Sequence, residues 1–221
     1  MSETIFSVIG PVMIGPSSSH TAGVARLGKI SRQILDREPE YAEIYFFHSL
    51  AETLRGHGSD RAVIGGILGF DSADEKLPES LDLAGERGLE FTLKKGEKRG
   101  VHPNSLLIKL ESSGKKVEVF GSSRGGGNIL VEKINGFDVY LEGRYNALWI
   151  LHLDRPGLVA EIASLLAAGG INIAFMRLQR SQPRGMASLV VECDQHPGES
   201  LQEDISHIKF VESCRIIPPV R

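Results

Sequence analysis

The chain has 221 residues, of which 41% are hydrophobic, so it is long enough for one large domain or two small ones with a packed core. Its net charge of −3 and its pI of about 6.2 predict no strongly basic surface, so we expect neither nucleic acid nor an anionic membrane as a partner. No apolar run approaches the roughly 20 residues that cross a bilayer.

The two cysteines, Cys193 and Cys214, are not arranged in a Cys-x-x-Cys pattern. Two thiols alone do not hold a tetrahedral zinc site or an iron–sulfur cluster, so we expect no metal ligands on this chain. The beginning, Met1–Thr4, lacks the basic and apolar regions of a signal peptide. We therefore expect a soluble protein with reduced thiols in the cytoplasm.

The N-terminal residues Ile5–Pro11 form a short apolar piece, which fits a strand, a helical turn or an arm. The stretch Gly15–Gly23 follows and reads Gly-Pro-Ser-Ser-Ser-His-Thr-Ala-Gly. Apolar residues at helical spacing come next and predict a helix that ends near Arg37. These apolar residues are Val24, Leu27, Ile30 and Ile34.

Four hydroxyl groups and His20 therefore crowd the start of a predicted helix. Serine and threonine oxygens accept hydrogen bonds from the free N–H groups of a first helical turn, and such a turn attracts anions, including carboxylates. A histidine beside it can move protons near neutral pH. The structural alternative is that one serine caps the helix while the others are solvated.

A second histidine lies in a similar arrangement after Glu43–His48, which we predict to be a buried strand. His57 stands between two glycines, and Ser59 is the predicted N-cap of a helix over Arg61–Phe70. Gly56 and Gly58 permit unusual backbone angles and the close approach of a substrate. The alternative is a glycine-rich turn with an exposed histidine.

The segment from Asp71 to Asn146 predicts one short helix and five strands. In His102–Ser105, the Asn104 amide and the Ser105 hydroxyl precede one of these strands; an ordinary turn explains them equally well. Arg124–Gly127 predicts a hairpin bend or a nest of N–H groups for an anion, but no P-loop, since the Gly-Lys-Ser/Thr ending is missing. The predicted elements are a helix over Leu81–Arg87 and strands over Leu89–Lys94, Leu106–Leu110, Val117–Ser123, Asn128–Ile134 and Phe137–Leu141.

The C-terminal residues have the order β-α-β-β-α-β, which is the ferredoxin-like arrangement. Charges are balanced on both sides of residue 146, so the domain boundary comes from the pattern of elements: we predict domains at 1–146 and 147–221. The predicted elements are Ala147–Leu153, Leu158–Ala168, Ile171–Gln179, Met186–Glu192, Glu199–Ile205 and Ile208–Ile217.

The C-terminal domain resembles an ACT domain, a regulatory module that binds amino acids. The residues that carry this resemblance are Leu151–Gly157 and Gly170–Ile173. The resemblance implies that Asp154, Gly157 and Asn172 are effector-binding residues. Because ACT domains commonly pair edge to edge, it also implies a homodimer contact there.

The N-terminal domain is similar to the β chain of bacterial iron–sulfur L-serine dehydratases. Four motifs carry the resemblance in order: Ile14–Gly23, Gly56–Asp60 (with Ser59 where threonine is common), His102–Ser105 and Gly125–Gly127. The fold implied is α+β, with a mixed α/β substrate-binding domain similar to an allosteric substrate-binding domain, followed by the ferredoxin-like ACT domain.

The resemblance also implies the chemistry of a lyase in amino-acid catabolism and gluconeogenesis. A [4Fe–4S] cluster with one open iron binds the serine hydroxyl, a base removes the α-proton, water leaves, and the enamine becomes pyruvate and ammonia. The cluster ligands are expected on a partner α chain, so the active enzyme is expected to be a heteromer. His20 and His57 are the candidate catalytic residues, and the choice of base stays open, since the α chain can supply it. The expected substrate-binding residues are Ser17, Ser18, Ser19, Thr21, Ser59, Asn104 and Ser105.

A second hypothesis is an amino-acid sensor without a catalytic role, in which both domains only bind an effector. The N-terminal fold is expected in the allosteric substrate-binding domain of some phosphoglycerate dehydrogenases, which supports this alternative. The distinguishing feature is His20 together with His57, because a sensor has no need of paired histidines.

Overall fold

A computed structural model of the protein describes residues 12–54 and 56–220, and the predicted apolar piece Ile5–Pro11 lies outside them. By its internal contacts the chain divides into two units. The first unit extends to Asn135 and takes in Tyr140–Glu142, and the second comprises Gly136–Val139 and Gly143–Pro219. The domain boundary between residues 146 and 147 stays a prediction.

The first element in the described part of the first unit is a π-helical turn that continues directly into a helix, and further helices and strands follow in mixed order. Its elements are the π-helical turn Ser18–Ala22, α1 (Gly23–Leu35), β1 (Tyr41–Phe47), α2 (His48–Glu52), α3 (Ser59–Ile67), a 3₁₀ turn (Leu77–Glu79), α4 (Ser80–Glu86), β2 (Glu90–Gly96), β3 (Ser105–Ser112), β4 (Lys115–Gly125) and β5 (Asn128–Ile134). The next strand, β6 (Phe137–Leu141), contains residues that are assigned to both units.

Strands β1 to β6 form a mixed sheet in the order β2-β1-β3-β4-β5-β6. β1 and β2 are parallel, with Tyr41 opposite Glu90 and Phe47 opposite Gly96. A parallel pair requires a long crossover, and α2, α3 and α4 provide it. The pairs β1–β3, β3–β4 and β4–β5 are antiparallel.

Helices α1 and α3 pack so closely that their backbones meet at glycines. A Cβ atom added at Gly28 would lie 2.4 Å from the carbonyl oxygen of Val63, and one at Gly66 would lie 1.9 Å from that of Ala25. Both distances are far below van der Waals contact, so any side chain there would separate the helices. The predicted apolar stripe of α1 is confirmed, since its members are at most 2% exposed: Val24, Leu27, Ile30 and Ile34.

The second unit has the order β-α-β-β-α-β, and its strands form an antiparallel sheet in the order β10-β7-β9-β8. This confirms the predicted ferredoxin-like arrangement and the α+β class. Its core lies between β7 and the two helices, around Leu148, Ile150, Ile162 and Leu166. The elements are β7 (Asn146–Leu153), α5 (Leu158–Ala168), β8 (Ile173–Arg180), β9 (Met186–Cys193), α6 (Glu199–Ser206) and β10 (Val211–Ile217).

The glycine bend after β4 confirms the predicted hairpin. Gly125 pairs with Asn128, which leaves Gly126 and Gly127 as a two-residue loop with φ angles of 59° and 76°. Two positive φ angles in succession are the signature of a type I′ turn, which glycine adopts without strain.

Two local predictions were wrong. Ser59 is not the N-cap of α3: that residue is Gly58, at φ 67°, and no side chain caps the helix. Gly58 can adopt the left-handed conformation, so the chain reverses there and Ser59 becomes the first helical residue. His48 does not belong to the preceding strand, because β1 ends at Phe47 and His48 begins α2 with a φ of 45°.

Candidate functional site

The serine stretch forms the N-terminal turn that its composition predicts. Ser17 is the N-cap, in an extended conformation, and its Oγ accepts a hydrogen bond from the backbone N–H of His20 at 3.2 Å. The turn Ser18–Ala22 is π-helical, and the N–H of Gly23 donates to the carbonyl of Ser18, five residues earlier. Single π-helical turns of this kind occur frequently at functional sites.

The His20 ring lies among hydroxyl groups from two separate segments. Its Nδ1 is 3.0 Å from Ser17 Oγ and 3.2 Å from Ser19 Oγ, and its Nε2 is 3.3 Å from Ser49 Oγ on α2. A hydroxyl can donate or accept, so both ring nitrogens keep a partner whether the ring is neutral or protonated. Partial burial, with the nearby His57 as a second cause, lowers the pKa of His20 below its usual value of 6.5, so the neutral ring persists to lower pH.

His57 lies directly against His20. The two rings are stacked, with their centroids 5.0 Å apart and their planes 22° apart. The Nδ1 atom of His57 is buried and has no hydrogen-bond partner among the described residues. The structure therefore brings into contact the two histidines that we predicted as catalytic candidates, which lie 37 positions apart in the sequence.

Two hydrogen bonds connect the histidine segments to each other. Thr21 Oγ1 donates to the carbonyl oxygen of His57 at 3.2 Å, and Ser59 Oγ donates to that of His20 at 2.9 Å. Thr21 is 2% exposed and Ser59 is fully buried. These two hydroxyls, which the sequence predicts to bind substrate, are thus occupied in holding the histidine loops together, whereas Ser17, Ser18 and Ser19 are only partly buried.

The segment His102–Ser105 folds on itself before β3. Ser105 is fully buried, and its Oγ donates to the carbonyl oxygen of His102 at 2.8 Å, so it stabilises the turn. The carbonyl of Asn104 accepts from the N–H of Ser123 on β4, and the hydroxyl of Ser123 lies where a Cβ at Gly23 would be, 2.0 Å away. The predicted Asn104 region is therefore connected, through β4, to the first residue of α1.

The glycine hairpin is also attached to α1. Arg26 Nη1 donates to the carbonyl oxygen of Gly127 at 2.6 Å. Burial lowers the pKa of Arg26, which is the effect expected when a guanidinium loses water. The fourth motif, Gly125–Gly127, is thus held beside the helix that carries the serine turn.

A cleft of about 210 Å³ opens beside His57 and Thr21. Among the described residues, its lining also includes Gly15 and Arg61. The volume is below that of sites for drug-sized ligands and suits a small metabolite. Sequence reasoning missed both Arg61 and Ser49, since neither stands in a recognisable pattern and only the fold places them beside the histidines.

Neither cysteine fits the role of a metal ligand. Cys193 and Cys214 are fully buried in the second unit, and burial raises the pKa values of their thiols to about 11 and about 12. Metal binding requires the thiolate form. Within residues 12–54 and 56–220 there is also no group of three histidine, cysteine or carboxylate side chains placed to hold a metal ion.

The predicted effector residues of the second unit lie in two loops. Asp154 and Gly157 belong to the turn between β7 and α5, where Gly157, at φ 90°, is the N-cap of α5. Asp154 accepts hydrogen bonds from the Arg184 backbone and from Arg180, which lower the pKa of its carboxyl. Asn172 Nδ2 donates to Asp194 at 2.6 Å. No helix in the described part of the chain is both long and apolar enough to cross a membrane.

Comparisons with known proteins match both parts of the chain. A family model described as the serine dehydratase beta chain matches residues 5–133, and an ACT domain model matches residues 150–206. The probable L-serine dehydratase beta chain of Bacillus subtilis is 38% identical over 206 residues, which are 93% of this chain and 94% of that one. The L-serine dehydratase beta chain of Peptoniphilus asaccharolyticus is 35% identical over 216 residues, 96% of each. A D-3-phosphoglycerate dehydrogenase of Methanocaldococcus jannaschii is 26% identical over 86% of this chain and 36% of its own length.

Proposed function

Because this chain belongs to the serine dehydratase beta chain family and carries an ACT domain, we propose that it is the β subunit of a cytoplasmic enzyme that converts L-serine to pyruvate and ammonia. The observation that carries the proposal is the stacked pair of His20 and His57 beside the serine turn. Two histidines held in contact by hydrogen bonds between their own loops suit proton transfer better than simple ligand binding.

His20 is the base in this proposal. A base that acts near neutral pH must be unprotonated there, and the lowered pKa of His20 keeps its ring neutral. The ring removes the α-proton of serine, and the hydroxyl group leaves as water with the proton that the ring has taken up. The resulting enamine becomes an imine, which water hydrolyses to pyruvate and ammonia. Ser17 and Ser19 accept or donate as the charge on Nδ1 changes, and His57 keeps the ring in place by stacking.

The expected [4Fe–4S] cluster would make the serine hydroxyl a better leaving group. The thiols of this chain are buried and do not fit as its ligands, so we place the ligands on a partner α chain and derive no step from the cluster. The relatives named as beta chains support the existence of a partner chain.

The ACT domain is proposed to bind an amino-acid effector through Asp154, Gly157 and Asn172. It is also proposed to pair with the ACT domain of a second copy along β8. β8 is an edge strand of its sheet, and it exposes apolar side chains, with Phe175 60% and Leu178 46% exposed. Edge strands with exposed apolar side chains are prone to associate.

The amino-acid sensor remains the second candidate. It is favoured by one observation, the 26% identity to a phosphoglycerate dehydrogenase over 86% of this chain. In that case both units would only bind amino acids, and the histidine pair would have no role in turnover.

The deciding experiment measures pyruvate formed from L-serine without oxygen. The chain is assayed alone, with a cysteine-bearing partner chain loaded with its cluster, and as that partner alone. Activity that appears only in the mixture supports the dehydratase subunit. A mixture with an intact cluster and no activity would favour the sensor, and calorimetric titration of the chain with amino acids would then test it.

A further inference from the structure

The cleft beside His57 has an unusual charge distribution for a chain with a net charge of −3. Among the described residues that line it, Arg61 is the one arginine, and no lysine stands beside it. The lining also includes the uncharged residues Thr21, Leu77 and Pro78. No carboxylate from the described residues lines the cleft, so an anionic ligand entering it meets a cation without a competing negative charge.

The backbone of Arg61 is held firmly in the first turn of α3. The hydroxyl of Ser80, which is fully buried, donates to the carbonyl oxygen of Arg61 at 2.7 Å. The carboxylate of Asp60 accepts from the N–H of Arg61 at 2.8 Å. These two bonds fix the backbone position from which the Arg61 side chain extends. Oδ1 of Asp60 is used by the backbone N–H of Arg61 and not by its guanidinium group.

The guanidinium group of Arg61 is itself available. The side chain is exposed, and within residues 12–54 and 56–220 it forms no ion pair or hydrogen bond. Two cations on α1 differ, since Arg26 donates to Gly127 and Lys29 is paired with Asp71.

We propose that Arg61 binds the α-carboxylate of the substrate, a role that the sequence predicts for the serine turn instead. The inference rests on the proposed function and adds the residue that recognises the acid group. A guanidinium binds a carboxylate through two parallel hydrogen bonds, which fixes both position and orientation. The cleft is also lined by His57, which stacks on His20, so a carboxylate bound by Arg61 would hold the substrate in the cleft that this histidine lines.

The test uses the full chain assembled with its partner and loaded with the cluster. Arg61→Met removes the charge while keeping a long side chain, Arg61→Lys keeps the charge and loses the two-pronged geometry, and Arg99→Met serves as the matched control. Arg99 is exposed and does not line the cleft. We expect Arg61→Met to raise the KM for L-serine roughly 10- to 100-fold, which is the range for loss of hydrogen bonds to a charged group. The Lys variant should lie between Met and wild type, and the control should match wild type.

A second readout separates carboxylate binding from general damage. Calorimetry compares the binding of L-serine and of L-serinamide, which lacks the carboxylate, to the wild-type and Arg61→Met complexes. The wild type should prefer serine, and the Met variant should lose that preference while its melting temperature is retained. An unchanged KM, or a preference for serine that survives in Arg61→Met, would overturn the inference.

The same data distinguish the inference from the proposed function. A wild-type complex that makes pyruvate while Arg61→Met behaves identically refutes only the role of Arg61. A wild-type complex that makes no pyruvate refutes the dehydratase, and the serine and serinamide affinities then still decide whether Arg61 binds the carboxylate. Equal affinities of the wild type for both ligands would refute it.

Discussion

In the first unit the candidate residues contact one another across long stretches of chain, whereas in the second unit the predicted effector residues are bonded to residues outside the predicted set. His20 stacks on His57, which lies 37 positions later in the sequence, and Ser59 Oγ donates to the carbonyl oxygen of His20. Asp154 instead accepts from Arg180 and from the backbone of Arg184. The first site is thus held by bonds among its own predicted segments, while the loop of the second is fixed by residues that the sequence did not predict for the site.

The largest expected effect comes from removing the side chain of His20, the residue that other candidate residues of the first unit contact. His20→Ala in the assembled enzyme is expected to lower kcat by ~10²–10⁴, the usual loss when a general base is removed. The measurement is anaerobic pyruvate formation at saturating L-serine. His207→Ala is the matched control, since His207 is exposed on the second unit and is expected to leave kcat unchanged. A loss of less than tenfold for His20→Ala would contradict its role as the base.

The second prediction tests whether the first site depends on the packing beneath it. Gly66→Ala would place a Cβ 1.9 Å from the Ala25 carbonyl oxygen and force α1 and α3 apart. We expect it to lower the free energy of unfolding by about 1–3 kcal/mol or more, and to lower activity because the two histidine loops begin these helices. Thermal melting and pyruvate formation measure the two effects.

The control for that prediction is Gly85→Ala on α4. A Cβ at Gly85 meets nothing within 4 Å, and the backbone there has no positive φ angle. Alanine at such a position stabilises a helix by about 0.4–1 kcal/mol. If both variants melt alike, the close approach of α1 and α3 is not what holds the site.

A smaller effect is expected from the contact between His57 and His20, and it tests whether His57 lowers the pKa of His20. Burial is the main cause of the lowered pKa of His20, and the nearby His57 is the second. His57→Gln removes the second cause, so the pKa of His20 should rise while staying below its usual value. Since the base acts only when neutral, the acidic limb of the kcat/KM profile should move to higher pH. A limb that moves downward, or not at all, would show that His20 is not the group that titrates.

The smallest expected effect concerns the second unit. Asp154→Asn keeps the size of the side chain but removes the charge that holds Arg180 and the Arg184 backbone. The response of the turnover rate to added amino acids should weaken, because the loop is no longer fixed in the arrangement that binds the effector. Glu212→Gln, at an exposed carboxylate on β10, is the control and should respond as wild type does. An unaltered response in Asp154→Asn would remove Asp154 from the effector site.

The comparison between the units also explains what the sequence alone could predict. The helix α1 follows from the spacing of Val24, Leu27 and Ile30, and the order of the second unit follows from its alternating strand and helix patterns. Both are local signals. The serine turn was also predictable, since Ser17 has the chemistry of an N-cap.

The arrangement of the site was harder to predict from the sequence, because it depends on contacts between segments that are distant in the chain. Ser49 has no motif, and its hydroxyl matters only because α2 places it beside His20. Ser59 was predicted to cap α3, but the left-handed Gly58 takes that position and frees the serine to hold His20. Arg61 is an ordinary surface arginine in the sequence, and it becomes a candidate only once the cleft is formed.

The π-helical turn before α1 determines in which direction around the helix axis the residues of the serine stretch point. An α-helix advances about 100° per residue, so one extra residue in the turn rotates everything before it by that angle relative to the helix that follows. The bond from Gly23 to Ser18 is where this extra residue is accommodated. Deleting a single residue from Ser18–Ala22 would restore the α-helical phase and carry the preceding hydroxyls around the helix axis. A change in the length of the stretch would therefore move all of its preceding hydroxyls at once, whereas the replacement of one side chain changes a single position.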